Sequence, residues 1–311
     1  MDLTQLKGQN LAVELLQRAI ALNQIAPAYL FSGNEGVGRR LAALGFAKLL
    51  LSGNSEQKEL LNHPDLLWVE PTYLHQGKLI TAQEAIANSI SRKTAPQIRI
   101  EQIRDIIEFL GRPPLLSPRS VVVMESANQM TEASANALLK TLEEPGLATL
   151  ILIANSGQPL LSTLISRCQR IPFYRLSDSQ VVEILTEQGY SEIVSTTEVL
   201  TLAQGSPGKA IALAQQLQNI PPELLTKLKT PPDTFASVFT LAQTVTQELD
   251  TEAQLWLIDY LQVYYWNSGQ IHQIATIWEK ARQFLQQYVN PRLVWECSLL
   301  DLKILKEESA L

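Results

Sequence analysis

Hydrophobic positions in the first half of the chain alternate between two kinds of run. "LAVELLQRAIALNQ" carries them at helical spacing, and "APAYLFSG" follows as a short apolar segment ending in glycine. "RRLAALGFAKLLLSG" returns to the helical pattern, so the order is strand, glycine turn, helix, the start of a doubly wound α/β unit. After "LLWVEP" comes a loop rich in polar residues, then "IEQIRDIIEFL", an amphipathic helix with Ile103, Ile106, Ile107 and Leu110 on one face. "RPPLLSPR" is a proline-broken loop, and "SVVVME" is a β-branched run suited to a central parallel strand.

"TEASANALLKTLEEPG" reads as a helix with Thr131 as its cap, Glu132 in the first turn, and Ala135, Leu138, Leu139 and Leu142 along one face. Pro145-Gly146 stops it. "ATLILIAN" and "IPFYRL" are further strands, so the pattern predicts a mostly parallel sheet covered on both faces. Beyond residue 175 the strand signal fades and the rest reads as helices, punctuated by Pro221-Pro222 and Pro231-Pro232. The expected division is an α/β domain over 1–175, a small helical domain over 176–216 and a helical domain over 217–311.

Within the glycine turn, "GNEGVGRR" places Gly33 and Gly38 at the spacing of the phosphate loop G-x-x-x-x-G-K-[ST], with Gly36 between them. A working loop cradles phosphates with backbone N–H groups, sets a Lys near the β/γ-phosphates and gives a hydroxyl to Mg²⁺. Here those two positions are Arg39 and Arg40. Arg39 still attracts anions, but a guanidinium has no lone pair with which to coordinate a cation. A hydrolytic site also needs acidic residues at the end of a buried strand, and "VVVMESANQM" supplies Glu125 followed by Ser126. Both halves of the site lack their chemistry, which argues against hydrolysis.

Composition narrows the rest. The 311 residues are 46% hydrophobic and 18% charged, an ordinary globular profile. The sequence shows no secretory signal and no apolar run of the ~20 residues a membrane span needs. Cys168 and Cys297 cannot form a four-thiolate site or a disulfide framework, which points to a reducing cytoplasm. A net charge of -6 and a pI near 5.3 show no basic excess for holding nucleic acid, so a DNA role is expected to run through partners or a local patch that the total conceals. His63, in "NHPD", has no cysteine or second histidine nearby and reads as structural.

"GNEGVGRR", "VVVMESANQMTEASANALLKTLEEP", "TLILIANSGQPLLSTLISRCQRIPF", "GSPGKAIAL" and "NPRLVWECSLLDL" occur in the order of a bacterial clamp-loader subunit. The chain resembles the delta-prime family of DNA polymerase III, whose members are AAA+ proteins. The resemblance implies an AAA+-like doubly wound parallel sheet, a helical lid over 176–216 and an all-helical collar for oligomerisation over 217–311. It implies a non-hydrolysing stator that helps load the sliding clamp onto primed DNA, with delta and gamma/tau-type subunits as partners.

In the family frame, the Walker B pair falls on Glu125 and Ser126, a sensor position near Asn155, and a sensor arginine on Gly208 with Lys209 adjacent. Arg167 of Ser166-Arg167-Cys168 corresponds to the arginine that enters a neighbour's ATP site. Gly33, Gly36, Gly38 and Arg39 form a degenerate loop with no productive cofactor. Many relatives carry a four-cysteine zinc module after the loop helix; "LLLSGNSEQKELLNHPD" holds no cysteine, so no metal is expected. Trp256, Tyr260, Tyr264, Tyr265, Trp266, Trp278 and Trp295 look more numerous than a small bundle needs, and some are expected to pack against other subunits. Two other readings compete: an active gamma/tau-type ATPase, and an AAA+ regulator that senses ATP without cleaving it.

Overall fold

A computed structural model describes residues 3–51, 60–87, 95–143, 146–156, 160–267, 273–287 and 289–309. The chain divides into two compact units, Met1–Gln180 and Val181–Leu311. In the first, the elements run α1 (Asn10–Ala21), β1 (Ala28–Gly33), α2 (Arg39–Leu50), β2 (Leu66–Val69), β3 (Thr72–His75), β4 (Lys78–Thr81), α3 (Ala82–Ala87) and α4 (Ile100–Leu110). They continue with β5 (Ser120–Met124), α5 (Glu132–Glu143), β6 (Ala148–Asn155), α6 (Ser162–Ile165), β7 (Gln169–Pro172) and α7 (Asp178–Glu187), which reaches into the second unit.

Five strands form one parallel sheet in the order β2-β5-β6-β1-β7. Strand periodicity divides its residues between two cores. Leu30, Val122, Met124, Leu150 and Leu152 face Ile103, Ile106, Leu138 and Leu142 of α4 and α5. From the other side Tyr29 and Phe31 meet Phe46 of α2, with ring centroids 5.0 and 6.4 Å apart. Burial on both faces is why these strands lack polar alternation. The α/β doubly wound class and the elements that build it are those expected.

Two local expectations shift, and one at α5 holds. Ile107 is exposed, so the buried face of α4 is narrower than its apolar pattern. The polar loop after β2 contains an antiparallel hairpin, Thr72 opposite Thr81, turned by Gln76 and Gly77 at φ 49° and 79°. Its residues hid it, because a hairpin with little burial needs no apolar alternation. The helix α5 starts after Thr131, whose Oγ1 accepts the Ser134 N–H at 3.2 Å. It ends at Glu143, and the proline expected to stop it lies outside the described residues.

The second unit continues α8 (Ser191–Val194), α9 (Thr197–Ala203), α10 (Pro207–Gln218), α11 (Pro222–Leu228), α12 (Phe235–Glu248), α13 (Thr251–Asn267), α14 (Gln273–Gln286) and α15 (Pro291–Ser309). The expected collar and residues 181–216 of the expected lid fall together here, and α9 packs on α13. Of the seven aromatics, some of which are expected to pack against other subunits, five belong to the unit's own core: Trp256, Tyr260, Tyr265, Trp278 and Trp295 are all buried. Tyr265 donates to Leu228 O at 2.9 Å, and Trp295 Nε1 donates to Gln254 Oε1 at 3.0 Å. Trp256 Nε1 and Trp278 Nε1, by contrast, are buried with no hydrogen-bond partner, so burial of apolar ring area outweighs two unsatisfied donors. Trp266 is exposed, as are Phe235 and Phe239 on α12.

Candidate functional site: a phosphate-loop frame filled by arginines

The glycine loop joins the C-terminal end of β1 to the start of α2, where a phosphate loop belongs. Gly38 precedes α2 at φ 102°, a conformation that disfavours side chains, and a Cβ there would lie 2.8 Å from Leu6 Cδ1. Gly33 is glycine for another reason. Its Cβ would meet Phe173 O at 2.5 Å, because the chain leaving β7 passes directly over it. Gly36 takes φ 74°. The loop is also held from below by Gln9, a buried residue that sequence reasoning missed. Its amide donates to Val37 O (3.2 Å) and Tyr174 O (2.7 Å), and its oxygen accepts the Tyr174 N–H (3.1 Å). A glutamine at a helix start is not a favoured cap, so no local pattern marked it.

Arg39 is only 7% exposed. Its guanidinium donates to Ala154 O at the end of β6, and Nη2 donates to Asn155 Oδ1 at 2.7 Å. Burial pulls its pKa down, opposed by the charges of Glu35 and Glu125. The expected anion-attracting cation is thus tied to the sensor position, and Asn155 is in turn fixed by its N–H to Asn128 Oδ1 at 3.1 Å. Asn34, with its amide donating to Ser156 Oγ (2.9 Å), offers its oxygen to Arg175 Nε (2.6 Å).

Arg40 takes the position of the metal-binding hydroxyl and pairs with the residue at the Walker B position: Arg40 Nε lies 2.6 Å from Glu125 Oε1. That same oxygen accepts Trp68 Nε1–H at 2.7 Å, and the guanidinium lies 5.5 Å from the Trp68 ring centroid. A second carboxylate, Glu70, approaches Arg40 Nη2 at 3.3 Å. Two carboxylates and one guanidinium therefore converge where a loop hydroxyl and an aspartate would share Mg²⁺. This donor set does not fit the metal: the cation is already supplied by the chain, and Arg40 has no lone pair to give.

Glu70 is strained electrostatically. Burial raises its carboxyl above the ordinary value, the Glu125 charge adds to this, and Arg40 opposes both. With the folded pKa above the unfolded one, ionised Glu70 costs stability at neutral pH, and the cost vanishes as pH falls through the folded value. Glu70→Gln is expected to raise the unfolding temperature at pH 7 and to change it little near pH ~3, where unfolded carboxyls are already protonated. An equal or lower unfolding temperature at pH 7 would show that Arg40 compensates Glu70 fully.

Arg167 stands apart from the loop, just before the N-terminal end of β7. Nη2 donates to Glu143 Oε1 at 2.7 Å and Nη1 to Thr163 O at 3.1 Å, with the side chain partly exposed. Cys168 beside it packs against the core, and burial lifts its thiol to about 11, leaving no thiolate for nucleophilic chemistry at neutral pH. His63 joins a polar network, accepting the Asp65 N–H at Nδ1 (3.1 Å), with Nε2 3.4 Å from Ser117 Oγ. Gly208 and Lys209 lie in the first turn of α10, where Ser206 Oγ caps the Lys209 N–H.

A family profile described as DNA polymerase III, delta subunit, matches residues 8–177, more than half of the chain. A second, described as cyanobacterial DNA polymerase III delta prime, C-terminal domain, matches residues 179–302. The chain belongs to the DNA polymerase III delta-prime family. The delta-prime subunit of Bacillus subtilis is 34% identical over 191 residues, covering 58% of this chain and 51% of that protein. The delta-prime subunit of Pseudomonas aeruginosa is 31% identical over 201 residues, covering 59% and 54%. Bacillus subtilis tau is 28% identical over 220 residues, covering 67% and 36%. The matches thus span about half the length of the delta-prime relatives. Among solved structures, a gamma subunit-related protein of Thermotoga maritima covers 93% of this chain and 98% of its own at TM-score 0.55 and 20% identity. That likeness gives the fold, a parallel-sheet domain followed by a helical C-terminal region. No helix among the described residues is long and apolar enough to cross a membrane.

Proposed function

We propose that this protein is the delta-prime subunit of a bacterial clamp loader, a cytoplasmic stator that takes part in loading the sliding clamp onto primed DNA without hydrolysing ATP itself. The observation that carries the non-hydrolysing reading is the Arg40–Glu125 pair, 2.6 Å apart, standing where Mg²⁺ would be held. A tethered guanidinium in place of a metal supplies a positive charge to the carboxylates but no Lewis acid. Its partners are the delta and gamma/tau-type subunits, with clamp and DNA engaged through the complex. Residues 1–175 supply the AAA+ domain, 176–216 the lid and 217–311 the collar, and Arg167 serves a neighbour's ATP site.

The purified chain is expected to show no ATP turnover and no Mg²⁺-dependent binding of labelled ATP. Turnover at ordinary enzyme rates, on the order of 1 s⁻¹ or faster, would overturn the reading and favour the gamma/tau type. Metal-dependent binding without turnover would favour the ATP sensor. Arg39→Lys alone is expected to create no activity, because Arg40 and Glu125 remain paired and Ser126 offers no base.

A further inference from the structure

The ends of β2 and β5 bring two carboxylates together. Val69 pairs with Met124 in parallel register, so the residues that follow, Glu70 and Glu125, leave the sheet side by side. Neither backbone is free to swing away. The Glu125 N–H donates to Val69 O at 2.9 Å, and the buried Gln102 amide donates to Glu70 O at 2.8 Å. Like charges fixed on neighbouring strands repel. The carboxyl of Glu70 feels the Glu125 charge, and the two lie within hydrogen-bonding reach of each other.

Arg40, in the first turn of α2, bridges them. Nε lies 2.6 Å from Glu125 Oε1 and Nη2 lies 3.3 Å from Glu70 Oε1, so one planar fork spans both acids. Trp68 precedes Glu70 by two residues and shares its face of the strand. Its ring centroid is 5.5 Å from the guanidinium, and its Nε1–H donates to Glu125 Oε1 at 2.7 Å. An isolated surface ion pair contributes little. This cation is instead held by three side chains at the ends of two neighbouring strands.

We propose that Arg40 is a built-in plug, a tethered cation that bridges Glu70 and Glu125, shuts divalent cations out and ties the glycine loop to the sheet without metal or nucleotide. The inference rests on reading the loop as a non-hydrolysing frame. It adds the second carboxylate, the conformation that the bridge holds and the class of ligand excluded, hard divalent ions that take carboxylate oxygens. The local charges show why the plug is Arg40. Glu35, Glu70 and Glu125 stand against Arg39 and Arg40. Arg39 spends its donors on Ala154 O and Asn155 Oδ1, so the bridge across the pair falls to Arg40. Without Arg40, two adjacent anions must take up a proton or a cation to relieve their repulsion.

The test uses the full chain, stripped of metal and free of nucleotide, as wild type, Arg40→Ser and Arg40→Lys. A fourth protein combines Arg40→Ser with Glu70→Gln and Glu125→Gln. Mn²⁺ uptake is read by electron paramagnetic resonance, and loop opening by amide hydrogen exchange over residues 33–40. Wild type is expected to take up no Mn²⁺ through these carboxylates and to exchange at the same rate with or without the ion. Arg40→Ser is expected to exchange about tenfold faster or more. It should also bind one Mn²⁺ with a dissociation constant on the order of 10⁻³ M, as weak carboxylate sites do, and slow its exchange again when the ion is bound. The combined variant should lose that binding. Arg40→Lys should still exclude Mn²⁺ but exchange faster than wild type, because an ammonium keeps the charge and loses the fork.

Unchanged exchange in Arg40→Ser would overturn the plug and leave Arg40 a surface cation. So would faster exchange without Mn²⁺ uptake, or uptake that survives in the combined variant, since either separates the carboxylate pair from a cation position. Equal Mn²⁺ binding by wild type would show that Arg40 excludes nothing. Exchange as slow in Arg40→Lys as in wild type would overturn the bridging fork. None of these measurements involves ATP, so failure of the plug leaves the non-hydrolysing reading standing, and ATP turnover by the wild-type chain decides that reading separately.

Discussion

Arg167→Ala is expected to leave the protein folded and able to join the loader, while lowering hydrolysis at the one ATP site that we propose Arg167 serves by roughly 10³-fold or more, the range of transferred arginine fingers. Total steady-state hydrolysis falls less, since other sites keep their own arginines, so single-turnover measurement and the rate of clamp loading are the sensitive readouts. The chemistry requires a guanidinium. Charge builds on the γ-phosphate oxygens as the bond to the leaving group breaks, and a planar fork of donors stabilises it.

Glu143 and Thr163 each take one donor of Arg167 and hold the side chain in place, which leaves the remaining N–H groups for a ligand. Its surface ion pair contributes little stability, which is why the fold is expected to survive the substitution. Arg167→Lys should rescue little, because it keeps the charge and loses the fork. Wild-type loader hydrolysis and clamp loading with both variants would reduce Arg167 to a surface cation.

The second large effect is on stability. Asp65→Ala is expected to lower the unfolding free energy by about 2–4 kcal/mol, because it removes the acceptor shared by the Leu115, Leu116 and Ser117 N–H groups beside the sheet. Asp65→Asn should lose part of this, since its amide turns a donor toward donors. Burial works against the Asp65 charge, but the backbone N–H groups and the Ser117 hydroxyl outweigh it and hold its pKa below the ordinary value. The contribution is therefore fully present above the unfolded carboxyl value near ~3.9 and is lost as pH falls through the lower folded value. Denaturant unfolding of wild type and Asp65→Ala from pH 7 downward checks the sign. A difference that stayed constant to the lowest pH would mean the carboxylate charge plays no part.

What the sequence determined by itself was local and periodic. Runs such as "SVVVM" and "ATLILIAN" could only be strands buried on both faces, and the helical spacing between them dictated a parallel doubly wound sheet. The absent loop Lys, hydroxyl and acidic pair were equally plain, since each is one residue at a motif position.

Tertiary structure alone decided where the replacements go. Arg39 crosses to Ala154 and Asn155, more than a hundred residues away, and Arg40 meets Glu125, so both arginines of the glycine loop are held by partners of the fold. Gln9 and Asp65 hold loops through partners distant in sequence, and neither sits in a motif. The aromatic residues of the second unit show the same limit: composition counted them, but only packing revealed that Trp278 and Trp295 fill a core while Trp266 faces solvent. Hydrophobic pattern selects which face of an element is buried; which buried polar groups find each other is fixed by long-range geometry, because an unsatisfied donor or acceptor pairs with whatever the completed fold brings within reach.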